Sequence, residues 1–143
     1  MNVGIVGHEA AKFTKATEKK ARAFIRHTIE STLLCGPESF IVSGHCHLGG
    51  IDIWAEEEAA DLGAPFLVFP PKTHRWSDGY MPRNLQIAAH SDVVYCIVVA
   101  EYPKGYDGMR FDECYHCHTT DHIKSGGCWT AKRAKKGIWK VIV

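Results

Sequence analysis

The 143-residue chain carries 17 basic and 16 acidic side chains, a formal net charge of +1, and 45% of its residues are hydrophobic. This near-neutral balance argues against binding to nucleic acid or to an anionic membrane, and the composition predicts one globular domain over residues 1–143. No apolar run approaches the roughly twenty residues of a membrane span, and the N-terminal sequence lacks the regions of a secretory signal, so we expect a cytoplasmic protein.

Short apolar segments alternate with amphipathic segments along the chain. The apolar segments predict strands at about residues 2–6, 39–42, 65–69, 92–99 and 138–143. Helical spacing of apolar residues, ended by glycine or proline, predicts helices at about 14–34, 51–62, 82–90 and 126–136. This alternation predicts an α/β, Rossmann-like three-layer sandwich with a mainly parallel five-stranded sheet in the order 3-2-1-4-5.

Residues 102–124 do not fit the alternation and are predicted to be a small Cys/His-rich insertion. Three cysteines and one histidine have the spacing C-x2-C-x4-H-x5-C, close to that of small tetrahedral zinc sites: Cys114, Cys117, His122 and Cys128. His116 and His118 are alternative ligands, because Cys128 also lies in a glycine loop where it could face a ligand.

A structural zinc ion is the favoured interpretation of this cluster. An insertion with few apolar residues cannot bury a core of its own, and bound Zn²⁺ would supply the free energy that orders it. Unliganded thiols or a cytosolic redox pair are the alternatives. Cys35 and Cys96 lie in apolar segments and are expected to be small buried side chains.

Two glycine pairs stand immediately before predicted helices. Gly49-Gly50 precedes the second helix, and Gly126-Gly127 opens the last one. Glycine lets an anion approach the backbone at a helix N-terminus, which carries partial positive charge. An ordinary tight turn is the alternative for either pair alone. Two such elements at the carboxyl edge of one parallel sheet favour a ligand site.

The candidate nucleotide-binding residues lie in the loops of that edge. They are Gly7, His8, Gly44, His45, Gly49, Gly50, Asp52, Arg83, Asn84, Ser125, Gly126, Gly127 and Thr130. The hydroxyls of Ser125 and Thr130 could donate to a phosphate, and Asp52 could bind a ribose hydroxyl or cap the second helix. Trp76 and Tyr80 could stack on a base, with burial beneath the loop as the alternative.

The order and spacing of several motifs resemble the SLOG superfamily of Rossmann-like proteins, which includes lonely-guy, YspA-like and YpsA-like proteins. The motifs are G-H-x3-G-G-x-D-x-x-A from Gly44 to Ala55, then Trp76, Arg83-Asn84, S-D-x-V from Ser91 to Val94, and S-G-G-x-x-T from Ser125 to Thr130. The resemblance implies a site for a nucleotide or nucleotide derivative. In some members it implies hydrolysis of an N-glycosidic bond, and it also implies a homodimer.

The same resemblance bears on catalysis. Arg83 stands at the position of an arginine that lonely-guy enzymes use in catalysis, although an exposed helix arginine is the alternative. Those enzymes carry a glutamate shortly after the last threonine, whereas Thr130 is followed by Ala-Lys-Arg. Glu9 or Asp52 could supply the missing carboxylate from a neighbouring loop.

Three functional hypotheses follow from these residues. The missing carboxylate favours binding of a nucleotide-derived ligand, by a protein that senses the ligand or processes it weakly. The second hypothesis is an N-glycosidic hydrolase that acts on a nucleoside monophosphate. The third is a protein-interaction module whose insertion is braced by zinc.

Overall fold

The computed structural model describes the backbone of residues 1–143 and all side chains except those of residues 137 and 138. Its strands are β1 (Val3–Gly7), β2 (Ile41–Ser43), β3 (Phe66–Val68), β4 (Val93–Val98) and β5 (Lys136–Ile142). Its α-helices are α1 (Lys15–Leu33), α2 (Ile51–Asp61), α3 (Met81–His90) and α4 (Gly126–Ala131). A 3-10 turn at Ala10–Lys12 precedes α1, and a π-helical turn at Trp76–Tyr80 leads directly into α3.

The five strands form one sheet in the order β3-β2-β1-β4-β5, and each neighbouring pair is parallel. The Rossmann-like architecture and the strand order predicted from the sequence are therefore confirmed. Because the strands all run in one direction, the loops that follow β1, β2, β3 and β4 meet at the same edge of the sheet. This carboxyl edge is where the predicted site residues are gathered.

Helix α1 begins at a capping box formed by Thr14, close to where the helix predicted over residues 14–34 starts. The Thr14 hydroxyl accepts a hydrogen bond from the Thr17 N–H (3.1 Å), and the Thr17 hydroxyl accepts one from the Thr14 N–H (2.8 Å). The apolar face of the helix buries Ile25 and Ile29 completely. Just past the helix, Gly36 has a φ of 128°, a backbone conformation that glycine adopts without steric cost.

Each face of the sheet buries its own apolar core. On one face α1 and α2 pack against side chains that include Val3, Ile5, Ile25, Ile29, Ile41, Ile51, Ala55 and Ile97. On the opposite face α3 and α4 cover a second cluster that includes Val6, Val42, Ile87, Val94, Cys96, Val98, Cys128 and Ala131. A sheet covered on both faces has apolar strands throughout, so polar chemistry is confined to the strand ends and loops.

Two predictions about single elements are wrong. Helix α4 ends at Ala131 instead of near residue 136, because β5 already pairs with β4 from Lys136. Cys35 was expected to be buried but is exposed, since it lies just after the end of α1. Cys96, in contrast, is fully buried within β4 as expected.

The segment around Trp76, between the predicted third strand and third helix, forms the π-helical turn that continues into α3. Gly79 is buried there, and a Cβ at this position would clash with the backbone of Thr73, so the turn requires glycine. Short π-helical turns are frequent at functional sites. None of the helices that the structure describes has the length and apolar character needed to cross a membrane.

Candidate ligand pocket and metal centre

A cavity of about 310 Å³ opens at the carboxyl edge of the sheet. The predicted site residues that line it are Gly7, His8, Glu9, Asp52, Arg83, Asn84, Ser125, Gly126, Gly127 and Thr130. Residues from the end of β1, from α2, from α3 and from the start of α4 thus come together around one space. The predicted residues Gly44, His45, Gly49 and Gly50 do not line it.

A buried ion pair forms the floor of this cavity. Arg83 Nη1 lies 3.6 Å from Asp52 Oδ2, and each side chain is 9% exposed. The guanidinium also donates to the Gly44 carbonyl oxygen through Nη1 and to Asn84 Oδ1 through Nε (2.7 Å). The alternative of an exposed helix arginine is therefore wrong. Burial raises the pKa of Asp52 to about 6, although the charge of Arg83 opposes this rise.

The first glycine loop acts through packing of the backbone. A Cβ at Gly44 would clash with the Arg83 guanidinium, so glycine lets the arginine approach the chain. Gly50 has a φ of 84°, and its α-carbon packs against the backbone of residues 8–10. The N–H of Ile51 at the start of α2 donates to the His8 carbonyl (3.1 Å). This N–H group at the start of α2 therefore donates within the protein and not to a ligand. The His45 side chain is exposed, and its Nδ1 lies 2.8 Å from Glu56 Oε2.

His8 links three elements at the carboxyl edge. Its Nδ1 accepts a hydrogen bond from the Val99 N–H (3.1 Å), and its Nε2 lies 3.0 Å from the Ile123 carbonyl and 3.1 Å from the Lys124 carbonyl. The proton must therefore reside on Nε2, which donates to these oxygens. Burial lowers the pKa of His8 to about 3, so the ring is neutral. Both ring nitrogens are engaged within the protein.

The second glycine loop closes one side of the cavity. Ser125 caps α4, because its hydroxyl accepts from the Gly127 N–H (3.1 Å), and the Thr130 hydroxyl donates to the Gly126 carbonyl (3.3 Å). A Cβ at Gly127 would contact Cys96 Sγ and the backbone of β1, whereas a Cβ at Gly126 would meet no other group within 4 Å. Gly127 therefore lets α4 pack against the sheet, and Gly126 keeps space free beside the cavity.

Aromatic side chains and two lysines complete the lining. Trp76 is 44% exposed and lies edge-on to Trp129, with ring centroids 5.0 Å apart. Tyr80 faces the Arg83 guanidinium, which lies 5.6 Å from the ring centroid. Both aromatic rings line the cavity, as do Lys12 and Lys124.

Sequence reasoning missed Lys12, Cys46, Leu48 and Lys124 as lining residues. Lys12 falls in a 3-10 turn that the hydrophobic pattern does not predict. Lys124 belongs to the insertion, which was considered only as a metal site. The position of Lys124, directly before the glycine loop that starts at Ser125, is the signal that could have identified this residue as part of the cavity.

The insertion brings the predicted metal ligands together. One ligand atom from each of Cys114, Cys117, His122 and Cys128 lies within 4.8 Å of all the others, so this group could hold a metal ion. All six cysteines are free thiols. Three of the four ligand side chains are buried. The alternative ligands do not belong to the group, because His116 packs beside Tyr115 and His118 is exposed.

A tight turn orients the first two cysteines. The Cys114 carbonyl accepts hydrogen bonds from the N–H groups of Cys117 (3.1 Å) and His118 (2.7 Å), and Cys114 forms a bridge with Thr119. His118 adopts a φ of 57°, in the left-handed region that tight turns use. This local backbone fold directs both thiols of the C-x2-C motif toward the same point.

His122 is oriented by a carboxylate. Its Nδ1 lies 2.6 Å from Asp121 Oδ1, while its Nε2 is 3.3 Å from Cys128 Sγ. Asp121 is held in turn by Lys140, whose Nζ lies 3.0 Å from Oδ2. A carboxylate that fixes one histidine nitrogen so that the other faces the ligand group is the usual arrangement around protein metals.

The cavity and the metal-ligand group are adjacent, because Cys128 follows the glycine pair that lines the cavity. No family model, no curated protein and no solved structure matches the chain. Functional inference therefore rests on the geometry of these two sites.

Proposed function

We propose that this chain is a SLOG-like protein that binds a nucleotide or a nucleotide-derived ligand in the cavity at the carboxyl edge. The observation that carries the proposal is the composition of the cavity wall. A glycine loop, a buried arginine, two lysines and two aromatic rings line the same space of about 310 Å³. These groups match a phosphate, which needs donors and positive charge, and a base, which needs an aromatic face.

Two structural details support a ligand of this kind. Gly126 lines the cavity, and the space that a Cβ would occupy at this position is open. Trp76 is 44% exposed although it lines the cavity, so a flat ligand has an accessible aromatic surface to stack on. The volume lies at the lower end of the range for small-molecule sites, about 300–1,000 Å³.

Recognition fits the site better than hydrolysis. Of the candidate carboxylates, Glu9 lies 3.5 Å from Lys12, and Asp52 is buried against Arg83. Neither is a free carboxylate placed to stabilise an oxocarbenium-like transition state, and no carboxylate follows Thr130 in α4. A sensing role is therefore our first proposal, with N-glycosidic hydrolysis of a nucleoside monophosphate as the alternative.

A thermal-shift screen of nucleotides, cyclic nucleotides and ADP-ribose derivatives tests the proposal, since a ligand that binds only the folded state raises the melting temperature. Replacing Trp76 by alanine should weaken binding of the ligand found by about 5- to 100-fold, because base stacking on an aromatic ring contributes about 1–3 kcal/mol. Trp139→Ala is the matched control, because Trp139 is 56% exposed and does not line this cavity. The affinities are measured by calorimetry.

Three results would change this conclusion. If no ligand in the screen stabilises the protein, the nucleotide site is overturned and the zinc-braced interaction module becomes the better hypothesis. Equal loss of affinity in Trp76→Ala and Trp139→Ala would place the ligand elsewhere. Release of a free base from a nucleoside monophosphate would make hydrolysis the function.

We also propose that the metal is Zn²⁺ and that its role is structural. Three thiolates and one imidazole are a preferred ligand set of tetrahedral zinc, with bonds of about 2.0–2.3 Å. Four protein ligands leave no open position for a substrate or a reactive water, which distinguishes a structural site from a catalytic one. Six free cysteines also fit a reducing, cytoplasmic compartment. A homo-oligomer is part of the proposal through the SLOG resemblance alone.

A further inference from the structure

The metal-ligand group and the ligand cavity share one short segment of the chain. His122 and Cys128 belong to the metal-ligand group. Between them, Lys124, Ser125, Gly126 and Gly127 line the cavity. We name residues 122–128 the shared segment. A metal bound at its two ends would fix the distance between them and thereby the path of the residues that face the cavity.

Packing of Gly127 and Cys128 against β1 and β4 holds the end of the shared segment to the sheet, and backbone hydrogen bonds hold its beginning. The Ile123 N–H donates to the Val99 carbonyl (3.0 Å), and His8 Nε2 donates to the carbonyls of Ile123 and Lys124. Both anchors act on the backbone of Ile123 and Lys124, directly after His122. The side chain of Lys124 has no equivalent anchor, so its position depends on the path of the backbone and on the insertion around it.

Lys124 brings a positive charge that the protein does not neutralise. Arg83 is paired with Asp52, and Lys12 lies 3.5 Å from Glu9. Among the described side chains, no carboxylate forms a salt bridge with Lys124. Its Nζ instead lies over the rings of Phe111 (5.0 Å) and Tyr115 (5.3 Å) in the insertion.

The two cavity lysines also repel each other. Burial lowers the pKa of Lys12, and the nearby charge of Lys124 lowers it further, although Glu9 acts in the opposite direction. An anionic ligand between these ammonium groups would relieve the repulsion. The cavity lining holds three basic side chains, Lys12, Arg83 and Lys124, against two carboxyl groups, and an excess of one charge in a cleft concentrates ligands of the opposite charge.

We propose that Lys124 is a phosphate-binding residue of the cavity and that the metal at His122 and Cys128 positions it, so that affinity for a phosphorylated ligand depends on metal occupancy. This inference rests on the proposed nucleotide site and extends it in two respects. It names the group that recognises the phosphate, and it makes the insertion a functional wall of the cavity.

Comparison of nucleoside monophosphates with their nucleosides isolates the phosphate contribution. Calorimetry with AMP, GMP, CMP and UMP, and with the four nucleosides, is carried out on the metal-loaded protein. Lys124→Met should weaken binding of the monophosphate by about 10- to 100-fold, the usual range for a charge-assisted hydrogen bond, and leave nucleoside affinity unchanged. Lys104→Met is the matched control, because Lys104 is an exposed lysine of the same insertion that does not line the cavity.

The outcomes separate the two proposals. If the wild type binds none of the eight compounds, the inference is overturned, whereas the proposed function is overturned only if the thermal-shift screen of cyclic nucleotides and ADP-ribose derivatives also finds no ligand. If the wild type binds a monophosphate and Lys124→Met binds it equally well, only the inference is overturned. A parallel loss of nucleoside affinity would also overturn it, because that loss would reflect damage to the whole cavity.

The role of the metal is tested with a variant that keeps all four ligands. Asp121 orients His122 and is about half exposed, and removing such a partner typically weakens metal binding by about 10- to 100-fold. In Asp121→Asn, monophosphate affinity should rise as zinc is added and follow metal occupancy, whereas nucleoside affinity should not. By linkage, the monophosphate should tighten zinc binding by the same factor. Monophosphate affinity that is independent of zinc would overturn the positioning role.

Discussion

Replacing Cys114 by serine should remove the bound metal and lower the free energy of unfolding by at least about 3 kcal/mol. Structural zinc contributes about 10–16 kcal/mol of apparent binding free energy in small domains that fold around it. Only part of that amount is expected here, because the core between the sheet and helices α1 and α2 contains none of the metal ligands, whereas Cys114 and Cys128 belong to the second core. Cys114 is fully buried, so water cannot easily take the place of its thiolate as a metal ligand.

Metal analysis and denaturant unfolding provide the measurements. The wild type should contain about one zinc per chain, and Cys114→Ser should contain much less. Cys35→Ser is the matched control, since Cys35 is an exposed thiol that lies outside the metal-ligand group. Limited proteolysis of Cys114→Ser should cut first within residues 102–124. If Cys114→Ser kept the metal content and the stability of the wild type, the proposed metal centre would be contradicted.

The second large effect concerns the buried carboxyl group of Asp52. Burial raises its pKa from 3.8 to about 6 in the folded protein. Between these values the folded state holds a proton that the unfolded state has lost, so the contribution of Asp52 to stability is present below pH 3.8 and is lost as the pH rises through 6. At about 1.4 kcal/mol per pH unit, the loss amounts to about 3 kcal/mol.

Asp52→Asn measures this effect, because asparagine does not titrate. The free energy of unfolding of Asp52→Asn relative to the wild type should rise by about 2–3 kcal/mol between pH 4.5 and pH 7.5. Denaturant unfolding of both proteins across this range gives the difference. His8 and the metal ligands are the same in both proteins, so their contributions to the pH dependence cancel. A difference that falls with pH would show that the Arg83 charge outweighs burial and depresses the pKa.

The sequence predicted the fold because strands and helices have different apolar periods. The run from Asp92 to Val99 is apolar at nearly every position, which is characteristic of a strand buried on both faces, and β4 occupies it. The first helix starts close to the predicted residue 14, because the Thr14 side chain caps α1. The end of α4 could not be predicted in this way, since pairing of β5 with β4, a contact between distant residues, decides it.

The metal ligands were predictable because they lie close together in sequence. Their spacing selects Cys114, Cys117, His122 and Cys128, and local turns bring these four together. The pairing of Asp52 with Arg83 was not predictable, because it joins α2 and α3 across the sheet edge. The role of Gly44 follows from that pairing, as its missing Cβ matters only once the guanidinium is in place.

The neutral state of His8 has a consequence for how the edge of the sheet responds to acidity. Its three hydrogen bonds join the ends of β1 and β4 to the insertion, and its pKa of about 3 keeps them unchanged throughout the cellular range of pH. Asp52, which also lines the cavity, changes its charge within or near that range. The hydrogen bonds of His8 that hold the sheet edge together are therefore independent of pH in this range, whereas the charge of Asp52 in the cavity depends on it.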